Sequence, residues 1–434
     1  MGRMSLIQYL TRYAEPDCAL GDEIADACIR TYSQVLCIPA FGEDPAFLGP
    51  LLAQAKCEKL LVILVVNAPP EAQEHMQRRN RDLITGLVAS HQTLKTFSSP
   101  AWMLAWQQNV DLLLVDRSIP GYFLDPKGGV GLARKIACDI ACKLFSRQVL
   151  TSPWIHITDA DAVLPTTYFS ASRQLDPGAI SAAIYPFVHD TSSQADIAKA
   201  QMLYDTSLHY YVDALAWAGS PWAFHTIGST LLVNAVHYAQ ARGFPRRQAG
   251  EDFYLLNKLA KLGKVALLDG QPIRLASRFS DRVPFGTGPA LRHISALAAP
   301  EQEYLYYHPD CFEYLKAWQL LLPVIWSYRQ HLDDTQLFER LQADIPVLSH
   351  VDSSILLEAL RRQGLEKALD HAASHSTTQA TFNRHLQHWF DGFRTLKFIH
   401  WLRENHFPSI PLEEARELAP HLFRDAQDAS HTKA

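Results

Sequence analysis

The sequence predicts an α/β fold: a mainly parallel sheet with helices on both faces, followed by an α-helical C-terminal region. Three observations predict it. Short runs that are apolar throughout recur along the first half of the chain, and amphipathic stretches lie between them. After about residue 298 apolar groups recur every three or four positions almost without interruption. Fully apolar strands are covered on both faces, as in parallel sheets, and their alternation with helices is the pattern of an α/β sandwich.

The elements follow in order. Residues 1–32 read as a helical lead-in with a break at Glu15-Pro16. Ser33–Phe41 (SQVLCIPAF), Glu58–Pro70 (EKLLVILVVNAPP), Val110–Asp116 (VDLLLVD) and Trp154–Asp161 (WIHITDAD) read as buried strands. Ala179–Phe187 and Ser229–Asn234 are further strands, and Glu71–Ser90 and Gly131–Phe145 are intervening helices. From Ala299 to Arg424 the recurrence is helical, with Ser353 the expected N-cap of SILLEAL. The polar tail is expected to fray. The predicted organisation is therefore a lead-in (1–32), an α/β domain (33–297), a helical region (298–424) and a disordered tail (425–434).

Composition excludes some classes of function. Of 434 residues 48% are hydrophobic and 20% charged, ordinary values for a globular chain with a large core. The net charge of -5 argues against a nucleic-acid partner, which calls for a basic domain. The run Arg242–Arg247 is too short to reverse this. Seven scattered cysteines (Cys18, Cys28, Cys37, Cys57, Cys138, Cys142 and Cys311) make neither a zinc pattern nor a paired disulfide framework. They read as reduced core thiols in a reducing compartment. The N-terminal residues lack the apolar core of a signal peptide, and no run approaches the ~20 residues that span a bilayer. The expected location is cytoplasmic, with any membrane contact peripheral.

The strongest chemical signal is HITDADAVLPTTYF. Asp159 and Asp161, with Ala160 between them, follow directly on a buried strand. Ligands of α/β sheets bind at the C-terminal ends of strands. Two carboxylates there suit a hard divalent cation that also touches phosphate oxygens. A second acidic pair, Glu251-Asp252 in AGEDFYLLNKLAKLG, offers a carboxylate that can take a proton from a hydroxyl nucleophile.

Five segments in order resemble those of family 2 glycosyltransferases. VLCIPAFGED resembles their opening strand, LLVILVVNAPP their second, and KGGVGLARKIACDIA their Gly-X-Gly-X-X-Arg helix. HITDADAVLPTTYF resembles their metal motif and AGEDFYLLNKLAKLG their Glu-Asp motif. The resemblance covers residues 33–290. It implies a GT-A fold, a Rossmann-like mixed sheet with helices on both faces. It further implies transfer of a sugar from a UDP- or GDP-linked donor to a carbohydrate, lipid or small hydroxyl acceptor, with inversion and with Mg2+ or Mn2+. Pro39, Ala40 and Glu43 would line the nucleotide. Asn67 would face the base in place of the commoner Asp; its amide offers both donor and acceptor. Lys127 and Arg134 would lie near the base, ribose or diphosphate. Asp159 would lie near the ribose and metal, Asp161 would ligate the metal, and His293 is a candidate third ligand. Asp252 would be the base, with Glu251 next in line. Trp222, His225, Gly228 and Ser229 fall where the family has acceptor contacts. Arg278 and Arg282 would pair with the diphosphate from a loop, as guanidinium groups do.

Two rivals remain. ITDADAV also fits the opening of haloacid-dehalogenase-type phosphatases, with Asp159 as nucleophile and Asp333-Asp334 as a late acidic pair. At least three strands precede it here, whereas that motif ends the first strand of its domain. The other rival is a non-catalytic nucleotide-sugar-binding protein. The four acidic residues argue against that, since a decayed site tends to lose one of them.

Overall fold

The computed structural model describes residues 2–27, 29–53, 59–190, 194–277, 279, 286–328 and 351–423. The chain divides into two compact units, Met1–Ser193 with Thr226–Pro289, and Gln194–His225 with Ala290–Ala434. The helix Ala195–Trp217 thus belongs to the second unit, although it falls within the span 33–297 that the sequence reading kept as one domain.

The first unit begins with β1 (Gln34–Ala40), β2 (Leu60–Asn67), β3 (Gln92–Thr96), β4 (Ala101–Gln107), β5 (Val110–Arg117) and β6 (Trp154–Ile157). It continues with β7 (Ala162–Val163), β8 (Ile180–Ile184), β9 (Phe187–His189), β10 (Leu231–Asn234), β11 (Lys264–Leu267) and β12 (Ile273–Leu275). Nine form one sheet in the order β11-β8-β10-β6-β1-β2-β5-β4-β3, and β7, β12 and β9 form a smaller one. β1 is buried along its whole length and β2 at all but its last residue, as their apolar runs require.

The fold is mixed α/β. Parallel pairing holds for β1 with β2 and β6, for β2 with β5 and for β8 with β11. β10 runs antiparallel to both β6 and β8, and β4 is antiparallel to β3 and β5. Half of the eight pairings are therefore antiparallel: the sheet is mixed, as the family resemblance implies, rather than mainly parallel as the apolar runs alone suggest. Two of the four have a local reason: short turns after Thr96 and after Gln107 join β3 to β4 and β4 to β5, and only antiparallel strands can be joined so briefly.

Strand order reverses at β1. The chain goes from β1 to β2 and β5 on one side, then returns to place β6 on the other. The carboxyl ends of β1 and β6 are thus the crevice in which such sheets bind ligands.

The lead-in is helical as expected, with helices Gly2–Arg12 and Ala19–Asp26 around a tight turn at Pro16–Cys18. It is pinned to the helix Gly129–Ser146 by buried polar groups. Asp139 accepts from Tyr9 Oη (2.5 Å), Lys135 Nζ (2.8 Å) and the Glu15 amide (2.7 Å). Glu15 in turn forms a two-pronged pair with Arg246 at 2.9 Å.

The second unit is mainly helical around a core that includes Trp318, Phe312, Phe382, Phe390 and Phe398. Its helix Ser353–Arg362 is capped by Asp352, which accepts from the Ser354 and Ile355 amides. The cap therefore lies one residue before the expected Ser353, consistent with the capping strength of Asp. The helix Asp310–Tyr328 continues through Pro323. No described helix is long and apolar enough to cross a membrane. The five described cysteines (Cys18, Cys37, Cys138, Cys142 and Cys311) are unpaired and buried; Cys28 and Cys57 lie outside the described residues, as does the tail 425–434.

Candidate functional site

Arg134 organises the site. It lies on the helix Gly129–Ser146, whose first turn packs against the segment that leads to Glu251. Gly131 permits this approach: its amide donates to the Arg247 carbonyl at 3.2 Å, and a Cβ there would sit 2.8 Å from that oxygen. The Arg134 guanidinium is buried, with Nη1 donating to Glu251 and Nη2 to Asp159 at 2.5 Å. Burial opposes its charge, but the Asp159, Glu251 and Asp252 carboxylates outweigh that and hold its pKa above the ordinary value. Both terminal nitrogens are thus committed to carboxylates. Arg134, expected near the base, ribose or diphosphate, here clamps the end of β6 to the helix Glu251–Leu259.

Gly228 belongs to the same clamp. A Cβ at this position would lie 2.5 Å from Arg134 Cζ, so the glycine makes room for the guanidinium. Ser229 is buried and its carbonyl accepts from Thr158 Oγ1 at 3.0 Å, tying the segment before β10 to the end of β6. Both residues, expected near an acceptor, serve this internal approach.

Glu251, the second candidate base, is buried and paired with Arg134. Asp252 is half-buried and accepts its neighbour Phe253's amide at 2.7 Å. Burial first, then the adjacent Glu251 charge, push its carboxyl up to about 7 against the opposing pull of Arg134. A carboxyl that titrates near neutrality is suited to general-base work.

Asp159 and Asp161 are both half-buried after β6, with Ala160 buried between them. Among the described residues no group of three or more His, Cys, Asp or Glu side chains is set to hold a metal ion. His293, a residue of the second unit, is exposed on the helix Thr287–Ser295 and joins no such group. The donor set therefore does not fit a closed protein cage. Two hard carboxylates do fit Mg2+ or Mn2+, which bind through one or two carboxylates together with substrate phosphates.

The ends of β1 and β2 are held by a residue the sequence reading passed over. Asn80 is fully buried; its Oδ1 accepts from the Gly42 amide at 2.8 Å and its Nδ2 donates to the Asn67 carbonyl at 3.0 Å. Arg79 donates to the Gly42 carbonyl at 3.2 Å. The signal was present: Asn80 shares the buried helical stripe with Leu83, Ile84 and Leu87, where a polar side chain needs a partner. Asn67 Nδ2 donates to the carbonyls of Ala40 (3.0 Å) and Val65 (3.4 Å), which leaves Oδ1 as its remaining acceptor. Pro39 and Ala40 end β1, and Glu43 is buried just beyond them. Lys127 is exposed before the helix Gly129–Ser146.

Trp222 is buried in the second unit, and its indole N–H donates to the Phe390 carbonyl at 3.0 Å. It is a packing residue, not a ring face offered to a sugar. His225 is half-buried with its ring 4.8 Å from that of His209. Arg278, Arg282, Asp333 and Asp334 lie outside the described residues.

No protein-family model matches the chain, and no curated protein matches it.

Proposed function

We propose that the chain is a glycosyltransferase that moves a sugar from a nucleoside-diphosphate sugar to a hydroxyl acceptor. One observation carries the reading: Arg134 joins Asp159, at the switch point of the sheet, to the helix that presents Asp252. A nucleotide at the ends of β1 and β2 would meet Asn67 Oδ1, an acceptor for a ring N–H. Uracil and guanine carry such a donor; neutral adenine and cytosine do not. Asp252 takes the acceptor hydroxyl's proton as the new glycosidic bond forms and the bond to the diphosphate breaks. Arg134 fixes the two carboxylates and keeps their repulsion from disordering the site. Asp159 and Asp161 would hold Mg2+ or Mn2+, which, when bound, supplies positive charge to the departing diphosphate. GT-A architecture, inversion and the acceptor classes above belong to this proposal.

The test is thermal denaturation of the full chain with UDP or GDP, each with and without MnCl2. A diphosphate at 100 times its Kd adds about 2.7 kcal/mol of stability. The expected result is a metal-dependent shift with one diphosphate that Asp161→Ala removes. The same shift in Asp161→Ala, or no shift with either nucleotide, overturns the reading.

A further inference from the structure

The lead-in reaches the candidate site through one buried carboxylate. Glu15 stands at the break before Pro16, and its side chain is buried. A single guanidinium takes both of its oxygens: Arg246 Nε donates to Oε1 and Nη2 to Oε2, each at 2.9 Å. The Glu15 amide donates to Asp139 at 2.7 Å, and Lys135 Nζ lies 3.9 Å from Oε1. Pinning the lead-in alone does not call for a buried charge, since apolar contacts of similar volume hold as well without the desolvation cost. The charge holds Arg246, whose side chain is otherwise 63% exposed.

Arg246 belongs to the segment that carries the chain into the helix Glu251–Leu259. The Phe244 amide donates to Tyr238 Oη at 3.3 Å, and that hydroxyl donates to Asp139 at 3.2 Å. The Arg247 carbonyl accepts the Gly131 amide, and Gln248 Nε2 donates to the Pro126 carbonyl at 2.8 Å. The packing is close: a Cβ on Gly129 would lie 2.5 Å from Gln248 Cα, and one on Gly131 would lie 3.0 Å from Glu251 Cβ. Gly250 then turns the chain, at φ 72°, into the helix that opens with Glu251 and Asp252. Glu251 is locked to Arg134. With anchors at Arg246, Arg247, Gln248 and Glu251, the segment has little slack, and a shift at Arg246 passes on to the start of the helix.

We propose that Glu15 is a positioning residue for the acceptor side of the site: through its fork to Arg246 it sets where the helix Glu251–Leu259 begins, and so where Asp252 stands. Its part in transfer rests on the glycosyltransferase reading; its hold on the helix rests on the geometry alone.

Amide hydrogen exchange of the full chain, read by mass spectrometry on proteolytic fragments, tests the hold. The expected result is exchange about two- to fivefold faster across residues 247–255 in both Glu15→Gln and Arg246→Gln, the factor that a part-exposed ion pair supports. Exchange around Gly42, at the end of β1, should stay as in the parent. The double variant should exchange no faster than the faster single one, because one interaction is lost in all three. Circular dichroism controls for folding, and the exposed Arg246 can be exchanged without opening the core. Hydrolysis of UDP-glucose or GDP-mannose in MnCl2 reads the functional part: both variants should show a lower kcat at an unchanged donor KM. Parent-like exchange across 247–255 in folded Arg246→Gln overturns the proposal. So does equal acceleration around Gly42, an additive double variant, or a raised donor KM at unchanged kcat. The nucleotide-dependent thermal shift decides the sugar-transfer reading separately, and exchange reports on the helix whether or not the parent consumes a donor.

Discussion

Gly228→Ala probes the clamp without touching a charge. The new Cβ would stand 2.5 Å from Arg134 Cζ and Nη2 and 2.6 Å from Nη1. To reach an ordinary 3.4 Å the guanidinium must move 0.9 Å (3.4 minus 2.5). An exposed arginine would swing aside at little cost. This one is buried and held by Asp159 and Glu251, so the move breaks or stretches a buried pair. Uncoupling a buried ion pair costs about 3–5 kcal/mol, which sets the upper end of the expected loss; about 2–4 kcal/mol is expected after partial relaxation. Gly86→Ala is the control: it lies in the helix Glu74–Ser90 with nothing within 4 Å of the new carbon, and should stabilise by up to about 1 kcal/mol. The assay is urea denaturation of the first unit's transition, extended to a cycle with Arg134→Met. Once the guanidinium is gone the added methyl has little to displace, so the double variant should be more stable than the sum of the single effects by about 1–3 kcal/mol. A Gly228→Ala loss within about 0.5 kcal/mol of zero, or strict additivity in the cycle, refutes the reasoning.

Other consequences follow from the same geometry. Asp252 has a folded pKa of about 7, above its unfolded value of about 3.9. Its contribution to stability is therefore full below about pH 4 and lost as pH rises through 7. Asp252→Asn should gain stability relative to the parent across that window in paired denaturation series; a constant difference would count against the raised pKa. Buried His156 is held neutral, its pKa pushed down to about 3 by burial alone, with Nε2 hydrogen-bonded to Gln34 Oε1 at 3.0 Å. Its contribution is present above about pH 6.5 and lost as pH falls toward 3. The stability advantage of the parent over His156→Gln should shrink with acid in that range, as read by fluorescence-monitored unfolding. Asn80→Leu strands the Gly42 amide and the Asn67 carbonyl, at about 1–3 kcal/mol per unsatisfied group. A melting temperature equal to the parent's would show that those two bonds are dispensable.

The central strands were legible because their chemistry is local: a run such as LLVILVV can lie only where both faces are covered, and β2 does. The hairpin of β3 and β4 was not legible. β3 (QTLKT) is largely exposed at the sheet edge and carries no apolar run to mark it. The acidic residues of the candidate site were each visible in sequence, yet their division of labour was not. Arg134 meets Asp159 across 25 residues and Glu251 across 117, and no spacing rule links positions so far apart. Trp222 shows the reverse error. An aromatic beside small residues looks the same in sequence whether its ring faces a ligand or the core, and only the indole bond to Phe390 decides between them. Asn80 was readable in principle, because a polar residue on an apolar stripe announces an unmet hydrogen bond.

The clamp also explains why Glu251 and Asp252, adjacent and of the same charge, behave so differently. Both sit in the first turn of one helix, where the dipole favours negative charge equally. Glu251 meets Arg134 directly and is buried with its counter-charge. Asp252 also feels Arg134's charge, but burial and the charge of Glu251 outweigh that pull. One cation thus pairs directly with one of two like acids and leaves the other a carboxyl poised near neutral pH. Removing Arg134 would withdraw the larger of the two influences that lower Asp252, the other being the Phe253 amide, and drive its titration higher still. Exchanging Glu251 for Gln would remove a repulsion and drive it lower. The two substitutions act on the same clamp with opposite signs, a difference that nonspecific loosening of the site would not produce.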